Sequence, residues 1–453
     1  MKSRSPRAAL ARLARSTRAG SEAGGRSPGH STPRSERGSD SRPRTNSDSG
    51  VPDLGAVEGG VLATHQMYLV PTQRPNAHNG GNIVGQVSTM AAADGKEDSR
   101  VRILVATDSI GAMSSRQAAE AIASGWRPGG ADVSILPIGE AGAGFVTAYA
   151  DQLGISVSTC VIDGVMVTTG RGADHAVVQV LGSGRGVGIP YRESSRPIGE
   201  AIAAVIGSEP LHRILVDLAG LWVHDAGAGM LAGLGAVADR PLDQGAEGLS
   251  GLSQLDLAPV RGLLGETELV GVVPAAQLDQ SLLGLRGITA RAGREAGVEP
   301  ESMLRTDATL ETFAKLASGA HSGVPGAGAC GGLGFAVLAL GGRLTTGPAI
   351  ALSSPKGKTA LRVVDLVVTG CSVFDFASRG GGVVAAMAEA ASTVLSPCIV
   401  IAGEVIIGSR EMRTMGIEAA YAVRESVLDD PQGNVNEAEL AAIAQRVARS
   451  WTW

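Results

Sequence analysis

From residue 101 onward the chain alternates short apolar runs with longer amphipathic stretches. VRILVA (101–106) predicts a buried strand. Similar runs recur at 133–136 (VSIL), 213–218 (RILVDL), 269–273 (LVGVV), 364–369 (VDLVVT) and 398–402 (CIVIA). Helical periodicity follows most of them, at 114–125 (closed by Gly125), 199–206, 333–340, 383–395 and 437–449. Continuous Val/Ile/Leu strands separated by helices predict parallel sheets covered on both faces, an α/β fold. There is no internal repeat.

Residues 1–99 follow another pattern. They are rich in Ser, Arg, Pro and Gly with little apolar periodicity, and such a segment cannot repay the entropy of ordering, so a disordered tail is expected. Residues 1–50 carry 11 Lys+Arg against 4 Asp+Glu, a net of +7, which leaves −12 elsewhere for the total of −5. A basic arm for nucleic acid, or a transit peptide, is one reading. The preferred reading is a plain tail, or sequence upstream of a start at Met90. The acidic remainder and an aromatic content of 3% oppose nucleic-acid binding.

The 64 glycines are about twice the usual share of roughly 7% and cluster at the ends of apolar runs, which points to tight turns and close backbone approach. Cys160, Cys330, Cys371 and Cys398 lie far apart without a CxxC pair, and the seven histidines form no HxxxH. Neither a disulfide scaffold nor a zinc site is expected. No apolar run reaches membrane-spanning length, so a cytoplasmic chain without a membrane partner is expected.

Several strands end in small or polar residues: Asp108–Ser109, Gly370–Cys371–Ser372 and Gly403–Glu404. Open α/β sheets bind ligands outside the carboxyl ends of their strands. VPGAGACGGLGFAVLALGG (324–342) holds a GxGxxG at Gly326, Gly328 and Gly331, followed by Gly332. It fits a phosphate cradle at a helix N-terminus or a close packing contact equally well. In GLWVHDAGAGM (220–230), Asp225 suits a helix cap better than a Mg²⁺ ligand, and His224 suits a structural role. Glu140 in PIGEAGAGF reads as a solvated loop acid, and Cys371 as a small hydrophobe rather than a nucleophile.

In order, these segments resemble the type I glycerate kinases over roughly 101–450. PGAGACGGLG (325–334) differs from the family's PGAGAAGGLG by one residue. TDSIGAMSSRQAAEAIASG (107–125), DAGAGM (225–230), Gly284–Leu285–Arg286–Gly287, VVTG (367–370) and CIVIAGEV followed by MGIEAAYAV match further family segments. The resemblance implies a discontinuous flavodoxin-like domain (100–163 and 340–453) with a second α/β domain inserted (164–339). It implies a cleft where Asp108, Asp225 and the 325–334 loop converge. It also implies transfer of a phosphoryl group from ATP, with Mg²⁺, to D-glycerate or a similar hydroxy acid.

By the same resemblance Asp108, Asp225 and Asp279 would be catalytic. Ser109, Glu140, Arg286, Asp375, Ser378 and the glycines 326, 328, 331 and 332 would bind substrate or phosphate. Several charges of the family pattern are replaced. A Lys is missing between Ile110 and Gly111, and Gly382 stands for another. Ala143, Gln277 and Cys371 stand where the family has carboxylates, Phe145 where it has Thr, and Val223–His224 where it has Thr-Asn. Each lost transition-state charge partner costs about 10²–10³ in rate. The alternative expectation is therefore a degenerate kinase that binds a nucleotide or small acid as a sensor or partner.

Overall fold

The computed structural model describes residues 100–142, 144–162, 164–182, 184, 186, 188–207, 211–424 and 435–451. All of them belong to one compact unit. The expected tail at 1–99, and Ala143, lie outside the described residues.

Two sheets organise the chain. The first has five parallel strands, ordered Ala419–Ala422, Cys398–Ala402, Leu366–Thr369, Arg102–Val105, Asp132–Ile135. In chain order this is 2-1-3-4-5, the flavodoxin-like arrangement. Alternate residues feed opposite cores. Ile103 and Val105 pack with Ile399, Ile401 and the helices Ser115–Ala123 and Glu437–Ala448. Leu104 and Ala106 pack with Val367, Val400 and helix Gly382–Thr393. A strand buried on both faces has no polar side, which explains its unbroken apolar sequence.

The second sheet lies between strands 2 and 3 of the first. Its order is Arg343–Thr345, Glu268–Val272, Arg213–Asp217, His175–Leu181, Val165–Arg171, Val157–Ile162. The first four strands are parallel and the last three form an antiparallel meander. The edge strands 157–162 and 343–345 thus belong to the inserted sheet. One face is covered by Arg196–Ile206 and other helices. Against the other face, helix Phe145–Leu153 sets Phe145, Val146 and Tyr149 on Val177, Leu215, Val270 and Val272. That helix follows strand 2 of the first sheet, so its packing joins the two domains. Burying Phe145 alone is worth about 2–3 kcal/mol.

Every predicted strand is present, each within about two residues. The 333–340 helix is part of Ala329–Ala339, whose Cys330, Gly331 and Gly332 have left-handed backbone angles, so regular helix begins near Leu333. Among the described residues no helix is long and apolar enough to cross a membrane.

Candidate functional site

The flavodoxin-like order reverses between strands 102–105 and 366–369, where such folds open a crevice. Asp108 stands there, its N–H bonded to the Gly370 carbonyl at 3.0 Å. Its Oδ1 accepts the Ser109 N–H at 2.7 Å and, more weakly, the Ser109 hydroxyl. No described residue donates to its Oδ2. Burial raises the Asp108 pKa and the Ser109 bonds oppose that. Ser115 connects this turn to the next loop: its hydroxyl donates to the Thr107 carbonyl at 2.7 Å and accepts the Ile138 N–H at 2.9 Å.

That second loop carries Glu140, and here the structure corrects the sequence reading. Glu140 is not a solvated loop acid. Both carboxyl oxygens are buried, and neither meets a hydrogen-bond partner among the described residues. Burial pushes its pKa up to about 7. The nearby Ala141 and Ala275 N–H groups oppose the rise without closing a hydrogen bond, while the charges of Asp108 and Asp217 add to it. Sequence reasoning missed Asp217, the last residue of strand 213–217, which is fully buried. It accepts from Gly142 N–H and Gln179 Nε2 at 2.8 Å each and from Ala219 N–H at 3.0 Å. Burial raises it to about 6 against those bonds.

Asp225 is also fully buried. Its Oδ2 accepts Ser195 N–H and Ser195 Oγ–H at 2.8 Å each and Gly229 N–H at 3.1 Å; its Oδ1 accepts Gly227 N–H at 2.9 Å. Asp225 thus precedes the N-cap Gly227 of helix Ala228–Gly233 and accepts N–H groups from the turn that opens it. His224 is buried too, bonded through Nε2 to the Thr289 hydroxyl at 2.9 Å, and burial lowers its pKa to about 4. It is a neutral structural group.

The Gly-rich segment packs against this turn. A Cβ on Gly331 would stand 1.9 Å from the Val223 carbonyl oxygen, on Gly328 2.1 Å from that of Ser281, and on Gly332 2.6 Å from the Ala226 Cα. Gly326, at φ +83°, would meet the Leu278 carbonyl oxygen at 2.9 Å. These glycines are needed for backbone-on-backbone contact. Gln277, standing where the family has Asp, accepts the Cys330 N–H at 2.8 Å. Asp279 and Arg286 lie on the exposed loop that follows, with no side-chain hydrogen bond or ion pair among the described residues.

Cys371 is half-buried, donates to the Val373 carbonyl at 3.2 Å, and is pushed up to about 12 by burial and the charges of Asp108 and Asp375. A thiol held that high is a poor nucleophile. Asp375 and Ser378 cap the short helix Phe376–Gly380 through reciprocal hydrogen bonds.

The structure therefore brings Asp108, Glu140, Asp217 and Cys371 together. It uses Asp225, Asp375 and the glycines as framework, and leaves Asp279 and Arg286 exposed. The charged groups that, among the described residues, act on Glu140 and Cys371 are Asp108, Asp217 and Asp375, all acidic. Among the described residues no three His, Cys, Asp or Glu side chains form a metal cage. Mg²⁺ bound to nucleotide phosphates needs only one or two carboxylates, and Asp108, with one oxygen unengaged, fits that need.

Comparison with known proteins agrees with this architecture. The profile described as "Glycerate kinase family" matches residues 103–452. An uncharacterized protein of Mycobacterium tuberculosis (strain CDC 1551 / Oshkosh) is 32% identical over 347 residues, covering 72% of this chain and 84% of that protein. The glycerate kinase of Bacillus subtilis (strain 168) is 29% identical over 347 residues, covering 71% and 90%. The crystal structure of a putative glycerate kinase 2 from Salmonella typhimurium LT2 superposes with a TM-score of 0.63 at 25% identity, covering 78% of this chain and 98% of that one. With the profile spanning nearly all the described residues, the chain belongs to the glycerate kinase family.

Proposed function

We propose that the chain transfers a phosphoryl group from ATP to a hydroxyl of D-glycerate or a similar small hydroxy acid, with Glu140 as general base. The observation that supports this is the Glu140 carboxyl itself: buried, without a hydrogen-bond partner among the described residues, and with its pKa raised to about 7 beside Asp108 at the crevice. A base works best when its pKa lies near the operating pH. Glu140 takes the hydroxyl proton as the substrate oxygen bonds to the γ-phosphorus and the bridging oxygen leaves with ADP. Asp108, whose Oδ2 has no donor among the described residues, would hold Mg²⁺, which would neutralise part of the phosphate charge of ATP. Ser109 fixes the Asp108 carboxylate, and Asp225 acts as a positioning residue through the turn it holds.

The second reading is a degenerate kinase that binds a nucleotide or small acid as a sensor or partner. It is favoured by the acidic charges that, among the described residues, act on Glu140 and Cys371, where phosphates need cations. A coupled assay with ATP, Mg²⁺ and D-glycerate separates the two. Turnover of about 1–10² s⁻¹ is the kinase outcome. No turnover, with a melting temperature that rises on adding ATP, is the degenerate outcome.

A further inference from the structure

The loop that carries Glu140 is gripped by the other domain. Gly142 donates its N–H to Asp217 Oδ2 at 2.8 Å. Gln179 Nε2 donates to the Gly142 carbonyl oxygen and, at 2.8 Å, to the same Asp217 oxygen. Gln179 and Asp217 are register partners on adjacent parallel strands of the inserted sheet, so their side chains reach the loop together. One glycine of the flavodoxin-like domain thus has both backbone polar groups satisfied by two side chains of the inserted domain. The Gln179 amide can present only its nitrogen here, because an oxygen would face two acceptors. Gly142 itself has φ +112°, a conformation that suits glycine.

The arrangement is costly for a packing contact. Asp217 is fully buried and Gln179 is 5% exposed. Burying an ionised carboxylate is costly even where its hydrogen bonds are satisfied, and an apolar pair would fill the same space at less cost. The helix beyond the loop is already fixed by the packing of Phe145 and Tyr149. What the polar triad adds is the position of the turn at residues 140–142.

We propose that Asp217 and Gln179 are positioning residues that clamp the Gly142 turn to the inserted domain and so set where the Glu140 carboxyl stands in the cleft. The inference rests on the reading of Glu140 as the base. The charged groups facing Glu140 are Asp108, from the end of strand 102–105, and Asp217, from the end of strand 213–217; both are acids.

The test uses the full chain with Gln179→Leu and Asp217→Asn, read by hydrogen exchange over 137–146 and by kcat and KM with ATP, Mg²⁺ and D-glycerate between pH 6 and 9. In both variants, exchange of the 139–144 amides should rise at least about tenfold. The folded enzyme should lose about 10²-fold in kcat, with KM for ATP within about twofold of the parent. Asp217→Asn should also move the acid limb of the kcat profile to lower pH, because one negative neighbour of Glu140 is gone. A latch without a positioning role would lower the melting temperature and leave kcat and the profile of the folded enzyme unchanged, which overturns the proposal. Unchanged exchange in Gln179→Leu overturns it as well, and that variant stands in if Asp217→Asn does not fold. If the parent chain shows no turnover, the kinase reading fails, and exchange alone decides whether the clamp exists.

Discussion

Ser195 holds Asp225 twice, through its backbone N–H and its hydroxyl, both at 2.8 Å to the same carboxylate oxygen. The Ser195 hydroxyl oxygen in turn accepts the Met230 N–H at 2.8 Å, so this pair closes the N-terminus of helix Ala228–Gly233. Removing either partner strands buried donors. Ser195→Ala should cost about 1–3 kcal/mol, and Asp225→Ala about 3 kcal/mol or more. Denaturant unfolding checks both. An Asp225→Ala chain of parental stability would show that the carboxylate is not framework.

The Gly-rich segment gives a second prediction. Gly331→Ala places a methyl group 1.9 Å from the Val223 carbonyl oxygen at φ +69°, so the backbone must move. The melting temperature should fall by several degrees or the chain should fail to fold. Gly323→Ala, with nothing within 4 Å, should change little. A Gly331→Ala chain with parental melting temperature and lost ATP binding would instead indicate a phosphate cradle.

Cys371 gives a third. With its thiol pushed up to about 12, thiolate is scarce at pH 8. Cys371 should remain unlabelled by Ellman's reagent in the folded chain, as should buried Cys398, also pushed up to about 12. Labelling of Cys371 faster than a free thiol, located by peptide mapping, would make it a reactive group after all.

The pH dependence of stability follows from Glu140. Its folded pKa of about 7 lies above the unfolded value of 4.5, so the folded state binds the proton more tightly. Its contribution is fully present below about pH 4.5 and is lost as pH rises through about 7. Glu140→Gln should match the parent near pH 4.5 and exceed it increasingly above, by up to about 3 kcal/mol at pH 8. A constant difference across that range would mean that Glu140 is ionised in the folded state throughout.

Much of the framework was legible in the sequence because it is local. Strands such as 398–402 declare themselves by unbroken apolar runs, and Gly331 by a motif. The long helix Pro300–Ser318 went unread although Leu310, Phe313, Ala314 and Ala317 keep a helical spacing, because charged residues dilute the pattern over 19 residues. In the meander 157–181 the first strand, VSTCVI, mixes polar and apolar residues and is largely exposed, while the third, HAVVQVL, is mostly buried and its apolar run is interrupted by Gln179. Asp217 sits inside the predicted strand 213–218 and is the last residue of the observed one. Its role comes from Gly142, 75 positions earlier, and Gln179, 38 positions earlier, and nothing local marks that. Glu140 was misjudged for the same reason, since distant elements bury it.

The most direct test of the account is the pH–rate profile of the parent chain against Glu140→Gln, with ATP, Mg²⁺ and D-glycerate. The account predicts turnover in the parent with an acid limb near pH 7, and a loss of at least about 10²-fold in kcat in the variant, which by its melting temperature is folded. Equal activity in the two chains, or a parent without turnover, would contradict it.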